Sequence, residues 1–152
     1  MRYKRTQTTV YWALALFLFL LFGCTQVKLV ADYDKEVLAD TFDLARRVDF
    51  FWANYIEATG EQRGYDTIKN EIIAIEVEMN SLLLKNEARD QNSQTTSQVI
   101  NVIAIWAGIT ELFRSQGHIS NTSAKVYRRQ LSDAFKYIVT GEKSKDISKN
   151  NQ

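Results

Sequence analysis

The sequence predicts an all-α protein, an up-down-up-down antiparallel four-helix bundle that begins after an N-terminal leader. Three observations predict this fold. The chain contains no proline, so long uninterrupted helices are permitted. Beyond residue 31, apolar residues recur at spacings of three and four, which is the period of an amphipathic helix. Polar stretches, two of which contain glycine, divide that part into four segments of about 20 to 25 residues, long enough to form a bundle.

Residues 1–23 are typical of a cleaved signal peptide. A basic start is followed by thirteen uncharged residues, 10–22, and then by Gly23 and Cys24. Thirteen helical residues reach only about 20 Å, which is short of the roughly 30 Å hydrocarbon core of a membrane. A removed leader therefore fits better than the alternative, an uncleaved anchor in which Cys24 is only a small apolar residue. The basic residues are Arg2, Lys4 and Arg5.

The segment Leu21, Phe22, Gly23, Cys24 resembles the lipobox of bacterial lipoprotein precursors, in which a branched apolar residue and small residues precede a cysteine. This resemblance covers the leader alone. It implies cleavage between Gly23 and Cys24, a diacylglyceryl thioether on Cys24 and acylation of the new amino terminus. Three acyl chains give stable anchoring, whereas one gives only marginal affinity. Because this is the chain's one cysteine, no thiol is then left for catalysis.

The residue after the cysteine predicts the destination. It is Thr25, not the aspartate that retains many Gram-negative lipoproteins at the inner membrane. The resemblance therefore implies a protein of the cell envelope, anchored in the outer membrane and facing the periplasm. Residues 24–31 would form the lipidated cysteine and a short tether of at most about 25 Å.

The first two helices are predicted at residues 34–58 and 65–89. Asp32 and Asp34 both suit a helix start because a carboxylate can accept hydrogen bonds from free backbone N–H groups. Polar breaks at 59–64 and 90–93 end the two segments. The apolar faces consist of Val37, Phe42, Ala45, Val48, Trp52, Tyr55 and Ile56 in the first segment, and Tyr65, Ile68, Ile72, Ile75, Met79, Leu82 and Leu83 in the second.

The third and fourth helices are predicted at residues 94–116 and 120–140. Gly117 suits the end of the third helix. The bundle is thus expected to cover residues 32–141, and the Lys-, Ser- and Asn-rich residues 142–152 are expected to form a disordered tail. The apolar faces consist of Val99, Val102, Ile103, Trp106, Ile109 and Phe113, and of Ala124, Tyr127, Leu131, Ala134, Phe135 and Ile138.

Charge and residue chemistry argue against an enzyme and against a nucleic-acid binder. The net charge is +1, and it becomes −2 once residues 1–23 are left out. The one histidine, His118, lies in a predicted turn without partners for a metal site or a proton relay. Glu71, Glu76 and Glu78 fall mostly off the apolar face, as solvated charges do. We therefore expect no catalytic residue, no metal and no cofactor beyond the covalent lipid on Cys24.

The third segment is apolar nearly all round. Residues 99–113 contain only three polar residues, whereas a helix in a small bundle needs one buried stripe. The second segment carries a similar extra row. Such rows predict an interaction surface for another envelope protein or a second copy of the chain, unless the third helix is simply the most enclosed one. The candidate interaction row consists of Ile105, Gly108, Leu112, Ile73, Val77 and Leu84.

Two functions follow from these observations. The first is a non-enzymatic, membrane-anchored lipoprotein that acts as a protein-interaction or accessory module. The alternative is a periplasmic carrier or sensor of a small apolar ligand, bound among the aromatic residues within the bundle.

Overall fold

The computed structural model describes residues 30–150, and side-chain burial through residue 147. The predicted signal peptide at 1–23, the lipidation site Cys24 and most of the tether lie outside the described residues. So do the last two residues of the predicted tail.

Four helices make up nearly all of the described chain, and residues 30–150 contain no strand. They are α1 (Lys35–Glu57), α2 (Tyr65–Glu87), α3 (Ser93–Gln116) and α4 (Asn121–Asn150). A 3₁₀ turn at Gly60–Arg63 lies between α1 and α2. The predicted all-α four-helix bundle is confirmed.

The helices pack as a ring. α1 lies against α2 and α4, and α3 lies against the same two helices. Short connections between consecutive helices make neighbours antiparallel, as in an up-down-up-down bundle. Two pairs therefore face each other across diagonals of the ring: α1 with α3, and α2 with α4.

Local chemistry sets two of the helix ends. The carboxylate of Asp34 accepts hydrogen bonds from the backbone N–H groups of Glu36 and Val37, at 2.8 and 3.1 Å, and so caps α1 as predicted. Gly117 ends α3 with a φ of +74°, in the left-handed region where a side chain would be strained.

Aromatic rings fill the centre of the bundle and join helices that face each other across a diagonal. Phe51 of α1 lies edge-on to Trp106 of α3, with ring centroids 5.5 Å apart. Trp52 stacks on Phe113 at 6.0 Å, and Tyr55 meets the same phenylalanine edge-on at 5.1 Å. Because α1 and α3 are not neighbours in the ring, large side chains are what bring them into contact.

One phenylalanine of α1 lies elsewhere than the sequence suggests. Phe42 was expected on the buried face but is exposed, and Phe50 of the same helix is exposed as well. Leu44 and Phe51 occupy the buried positions instead, in register with Val48. Phe50 lies about 100° round the helix from Phe51 and about 200° from Trp52, so it points away from the core that these two residues fill.

The predicted tail is wrong for residues 142–150, because α4 continues through them. Ile138, Glu142 and Lys145 follow one another at spacings of four and three and lie on one buried face. Glu142 is 0 % exposed and Lys145 is 7 % exposed. These charged residues extend the buried stripe because each is the other's counter-ion, a pairing that composition alone does not reveal.

Among the described helices, α3 alone is long and apolar enough to cross a membrane. A core helix of a soluble protein can have the same length and composition. In the structure α3 packs against α2 and α4 as one wall of the bundle.

We predict that Phe51→Ala lowers the free energy of unfolding by about 3 to 5 kcal/mol, because it removes a buried ring that contacts both α1 and α3. The matched control is Phe50→Ala, which removes the same side chain from a position that is 62 % exposed and should change stability by no more than about 0.5 kcal/mol. Urea unfolding followed by far-UV circular dichroism measures both values. Equal effects of the two substitutions would contradict this description of the core.

Candidate functional site

The most unusual feature of the molecule is a cluster of buried charged and amide side chains at one end of the bundle. This end, the entry end, is formed by residues 30–34, the connection at 88–92 between α2 and α3, and the last part of α4. The charge cluster consists of Arg89, Asn92, Thr95, Glu142 and Lys145.

The carboxylate of Glu142 is the centre of the charge cluster. Arg89 binds it with two hydrogen bonds, 2.8 Å from Nη2 to Oε1 and 3.2 Å from Nη1 to Oε2. The ammonium of Lys145 donates to Oε2 at 2.6 Å, and the backbone N–H of Asp34 donates to Oε1 at 2.7 Å. A fully buried carboxylate thus has four donors, which offset much of its lost hydration.

The ammonium of Lys145 is equally well bound. Besides Glu142, it donates to Oδ1 of Asn92 at 2.6 Å and to Oγ1 of Thr95 at 2.9 Å. The Asn92 amide in turn donates to Oδ1 of Asn86, at 2.8 Å. These bonds extend the charge cluster from α4 to the end of α2 and the start of α3.

The same groups hold the chain where it enters the bundle. Arg89 donates to the backbone carbonyl of Asp32 and lies 3.9 Å from the carboxylate of Asp34. The backbone N–H of Ala31 donates to the carbonyl of Gln91 at 3.1 Å. The segment before α1 is therefore bound to both α4 and the connection between α2 and α3.

The charge cluster determines the pKa of Glu142. Burial alone would raise it, but the hydrogen bonds from Arg89, Lys145 and the backbone N–H of Asp34 outweigh burial. The pKa of the carboxyl therefore lies below its ordinary value. Glu142 is ionised at neutral pH, and its charge contributes to stability.

The arrangement suits a structural role better than acid-base chemistry. Each proton of the Lys145 ammonium has an acceptor in the charge cluster, and the Glu142 carboxylate already has four donors. A general base needs a free lone pair directed at a substrate, and an anion site needs a free donor. Neither requirement is met by these two groups.

Other candidate chemical groups lie apart from one another. Within residues 30–150 no set of three or more His, Cys, Asp or Glu side chains could hold a metal ion. His118 is exposed at the end of the bundle opposite the entry end. Glu71 and Glu76 are exposed on α2, and Glu78 is bound by Arg47 of α1.

The predicted interaction row is divided by the structure. Ile105 and Leu112 are half-buried and pack against the core, so they do not form an exposed row. Gly108 is exposed, with open space where a Cβ would lie. Ile73, Val77 and Leu84 are about half to two thirds exposed on the outer side of α2.

A small apolar groove lies between α1 and α4. Its volume is about 150 Å³, below the roughly 300 to 1,000 Å³ of typical ligand sites. Beside it, Arg128 binds the Asp49 carboxylate through two hydrogen bonds, 2.6 and 2.8 Å long, which hold the pKa of Asp49 below its ordinary value. The groove is lined by Phe42, Ala45, Val48, Asp49, Arg128, Ser132, Phe135, Lys136 and Val139.

Two buried donors in the core have no acceptor among the described residues. They are the indole N–H groups of Trp52 and Trp106. An unsatisfied buried donor destabilises a fold by about 1 to 3 kcal/mol. These two groups are thus available to an acceptor that enters the ring cluster.

No protein-family model, curated protein or solved structure matches the chain. The fold and the chemistry of its side chains therefore carry the functional proposal.

Sequence reasoning missed the charge cluster, although a signal was present. Glu142 and Lys145 continue the spacing of the apolar stripe of α4 beyond Ile138. Polar residues in that register indicate either the end of a helix or a buried ion pair. The counter-ion Arg89 is 53 residues away in sequence, so only the fold brings the pair together.

We predict that Glu142→Gln lowers the free energy of unfolding by about 3 kcal/mol, because it leaves the charges of Arg89 and Lys145 buried without their anion. The matched control is Asp146→Asn, which also removes one acidic group from the last part of α4, but at an exposed position. Denaturant unfolding at neutral pH measures both. Similar stability of the two variants would contradict the assigned role of Glu142.

We also predict that the stability difference between wild type and Glu142→Gln shrinks as the pH falls below about 4.5, the ordinary value for a glutamic acid. The folded-state pKa is lowered, so the unfolded state takes up the proton first and acid removes the contribution of this group. Unfolding curves of both proteins between neutral and acidic pH test this. Other carboxylates titrate in both proteins and cancel in the difference, so a difference that stays constant or widens contradicts the prediction.

Proposed function

We propose that the protein is an envelope lipoprotein, anchored in the outer membrane through lipid on Cys24, whose helical bundle acts by binding other proteins and not by catalysis. The proposal combines the resemblance of residues 21–24 to a lipobox with the way the described chain enters the bundle.

The observation that carries the proposal is the fixed entry of the chain. Residues 31–34 are held by Gln91, Arg89 and Glu142, so the segment that precedes α1 has a fixed position at the entry end. Only residues 25–29 then separate Cys24 from the described chain, and five residues span at most about 18 Å. An anchor at Cys24 would keep the entry end close to the bilayer.

This geometry also assigns a direction to the rest of the bundle. The distal end is closed by Tyr55, whose hydroxyl accepts from the N–H of Ile119 at 2.7 Å and donates to its carbonyl at 3.0 Å. The guanidinium of Arg63 donates to the same carbonyl at 2.6 Å. With the entry end near the membrane, the long sides of the helices would face neighbouring proteins.

The chemistry of the described residues supports a binding role. The best-enclosed ionisable groups, Glu142 and Lys145, are engaged with each other and with the neighbouring elements. By contrast, large apolar side chains lie exposed along the outer sides of α2 and α4. Exposed apolar rows of this kind mark protein contacts more often than reaction sites.

One observation favours a second function, a carrier of a small apolar ligand. The indole N–H groups of Trp52 and Trp106 would suit a ligand that has one hydrogen-bond acceptor on an apolar body. This function ranks second because neither indole lines the apolar groove between α1 and α4.

We predict that Cys24→Ser abolishes labelling of the protein by radioactive palmitate, leaves the leader uncut and removes the protein from the mature membrane-bound pool. The thioether lipid is what directs cleavage in proteins that resemble this precursor. Palmitate labelling, intact mass and sucrose-gradient separation of the two membranes measure these properties. Thr25→Ser is the matched control and should leave all three unchanged.

Two results would count against the proposed function. If the wild-type protein carried no lipid, and if its cleavage and its location were the same as those of Cys24→Ser, the anchor would be excluded. A non-covalent, lipid-sized adduct retained in native mass spectra, and lost on substitution of Trp52 or Trp106 by Phe, would favour the carrier.

A further inference from the structure

We propose that copies of the protein associate side by side. The outer face of α4 in one copy docks on the outer face of α2 in the next. The inference deepens the proposed function by making a second copy the bound protein. The arrangement of the associated copies in the plane of a membrane rests on the proposed anchor, whereas the contact between two copies does not.

The outer face of α2 has the spacing of a second helix-packing seam. Ile73, Val77 and Leu84 are its exposed apolar residues, with Asn70 and Asn80 between and beside them. The five positions follow one another at alternating spacings of three and four, the period at which helices pack along a shared seam. We call this surface the acidic face because of the charges that surround it.

Acidic residues predominate around that seam. α2 contains five acidic and two basic residues. Glu76 and Glu87 lie beside the seam, roughly 60 to 80° round the helix from its centre, and neither is in a salt bridge within residues 30–147. Glu76 has only a longer-range attraction to Arg114 of α3. The acidic face thus combines exposed apolar side chains with carboxylates that no short ion pair of the described residues neutralises.

The outer face of α4, the basic face, has the opposite charge. Val126, Tyr137 and Ile147 are its exposed apolar residues, each more than half exposed and about three helical turns from the next. α4 contains seven basic and three acidic residues.

Three basic side chains of α4 are in no salt bridge within residues 30–147, although Arg129 attracts the Asp133 carboxylate at longer range: Lys125, Arg129 and Lys143. Lys143 lies 5.5 Å from the ring of Phe42 instead. The two faces are therefore complementary in charge, and both carry apolar side chains that a docked helix would bury.

The positions of the two faces determine the kind of assembly. α2 and α4 lie on a diagonal of the ring, so each copy presents its acidic face on one side and its basic face on the opposite side. Docking one on the other is a heterologous contact, which extends into open chains and does not close into a dimer. Contacts between two acidic faces or two basic faces would bring like charges together.

The direction of the helices suits copies that stand side by side. α2 and α4 both run toward the entry end, since they alternate with α1 and α3 in an antiparallel ring. In two upright copies held at the same height by their anchors, α4 of one and α2 of the next would be parallel. The seam could then run along most of the length of both helices.

Charge reversal on one face and then on the other tests the proposal. Variant A is Glu76→Lys with Glu87→Lys, and variant B is Arg129→Glu with Lys143→Glu. Full-length proteins are expressed and extracted from membranes with a non-ionic detergent. Light scattering after size exclusion gives their mass as a function of concentration, at low and high salt. Circular dichroism checks that each variant is folded, as expected for exposed positions.

We expect the mass of the wild-type protein to grow with concentration without reaching a dimer plateau, and to fall as salt is added. Each variant alone should associate at least about tenfold more weakly, because like charges then meet at the contact. An equal mixture of A and B should associate like wild type, since each reversed face finds an opposite partner. The control, Glu57→Lys with Glu61→Lys, changes the net charge as A does but lies off both faces, and it should associate normally.

Several results would overturn the proposal: a wild-type protein that is monomeric at all concentrations, a closed dimer of constant mass, or variants whose mixture is not rescued. If only variant B changed the behaviour of the protein, the basic face would bind an acidic partner of another kind, and the proposal would be wrong. The same measurement on Cys24→Ser, in a detergent extract of whole cells, tests the contact without the lipid. Association of a wild-type protein that carries no palmitate would overturn the anchor and leave the contact intact.

Discussion

The burial of one carboxylate constrains the whole entry end of the bundle. A glutamate that is 0 % exposed is tolerated only if donors replace its hydration, and the donors of Glu142 come from three parts of the chain. The requirement therefore fixes the segment before α1, the connection after α2 and the last turns of α4 relative to one another. At the distal end, Tyr55 and Arg63 fix the connection before α4 in a similar way, but through neutral backbone groups. In the aromatic core between these ends, the indole N–H groups of Trp52 and Trp106 have no hydrogen-bond acceptor among the described residues.

The distribution of surface charge gives the bundle two unlike sides, although its total charge is nearly balanced. Ion pairs between neighbouring helices neutralise part of the surface charge. They join Arg47 with Glu78, Lys85 with Glu36 and Asp40, and Arg128 with Asp49. These pairs lie where α1 meets α2 and α4. The outer sides of α2 and α4 face away from α1, so their remaining charges lack such partners and keep opposite signs on the two sides.

Most of the fold could be predicted from the sequence, because apolar periodicity and turn residues are local signals. Asp34 and Gly117 mark helix ends as expected, and the buried faces of α2 and α3 contain the predicted residues. The charge cluster could not be predicted, since Arg89 and Glu142 become partners only after α2 and α4 have packed. The same limit applies to the candidate interaction row. Periodicity indicated the surplus apolar residues of α3, but only the packing shows that Ile105 and Leu112 lie against the core while Ile73 and Val77 do not.

The way the chain enters the bundle also determines how the molecule would respond to mechanical load. A pull on the segment before α1 acts first on the hydrogen bonds of Ala31 with Gln91, of Asp32 with Arg89 and of Asp34 with Glu142. Tension is thereby distributed over α4 and the connection between α2 and α3 before it reaches the first turn of α1. A protein tethered in this way resists unravelling from its amino-terminal end, because its bonds to two other elements must break together before the first helix can be pulled away.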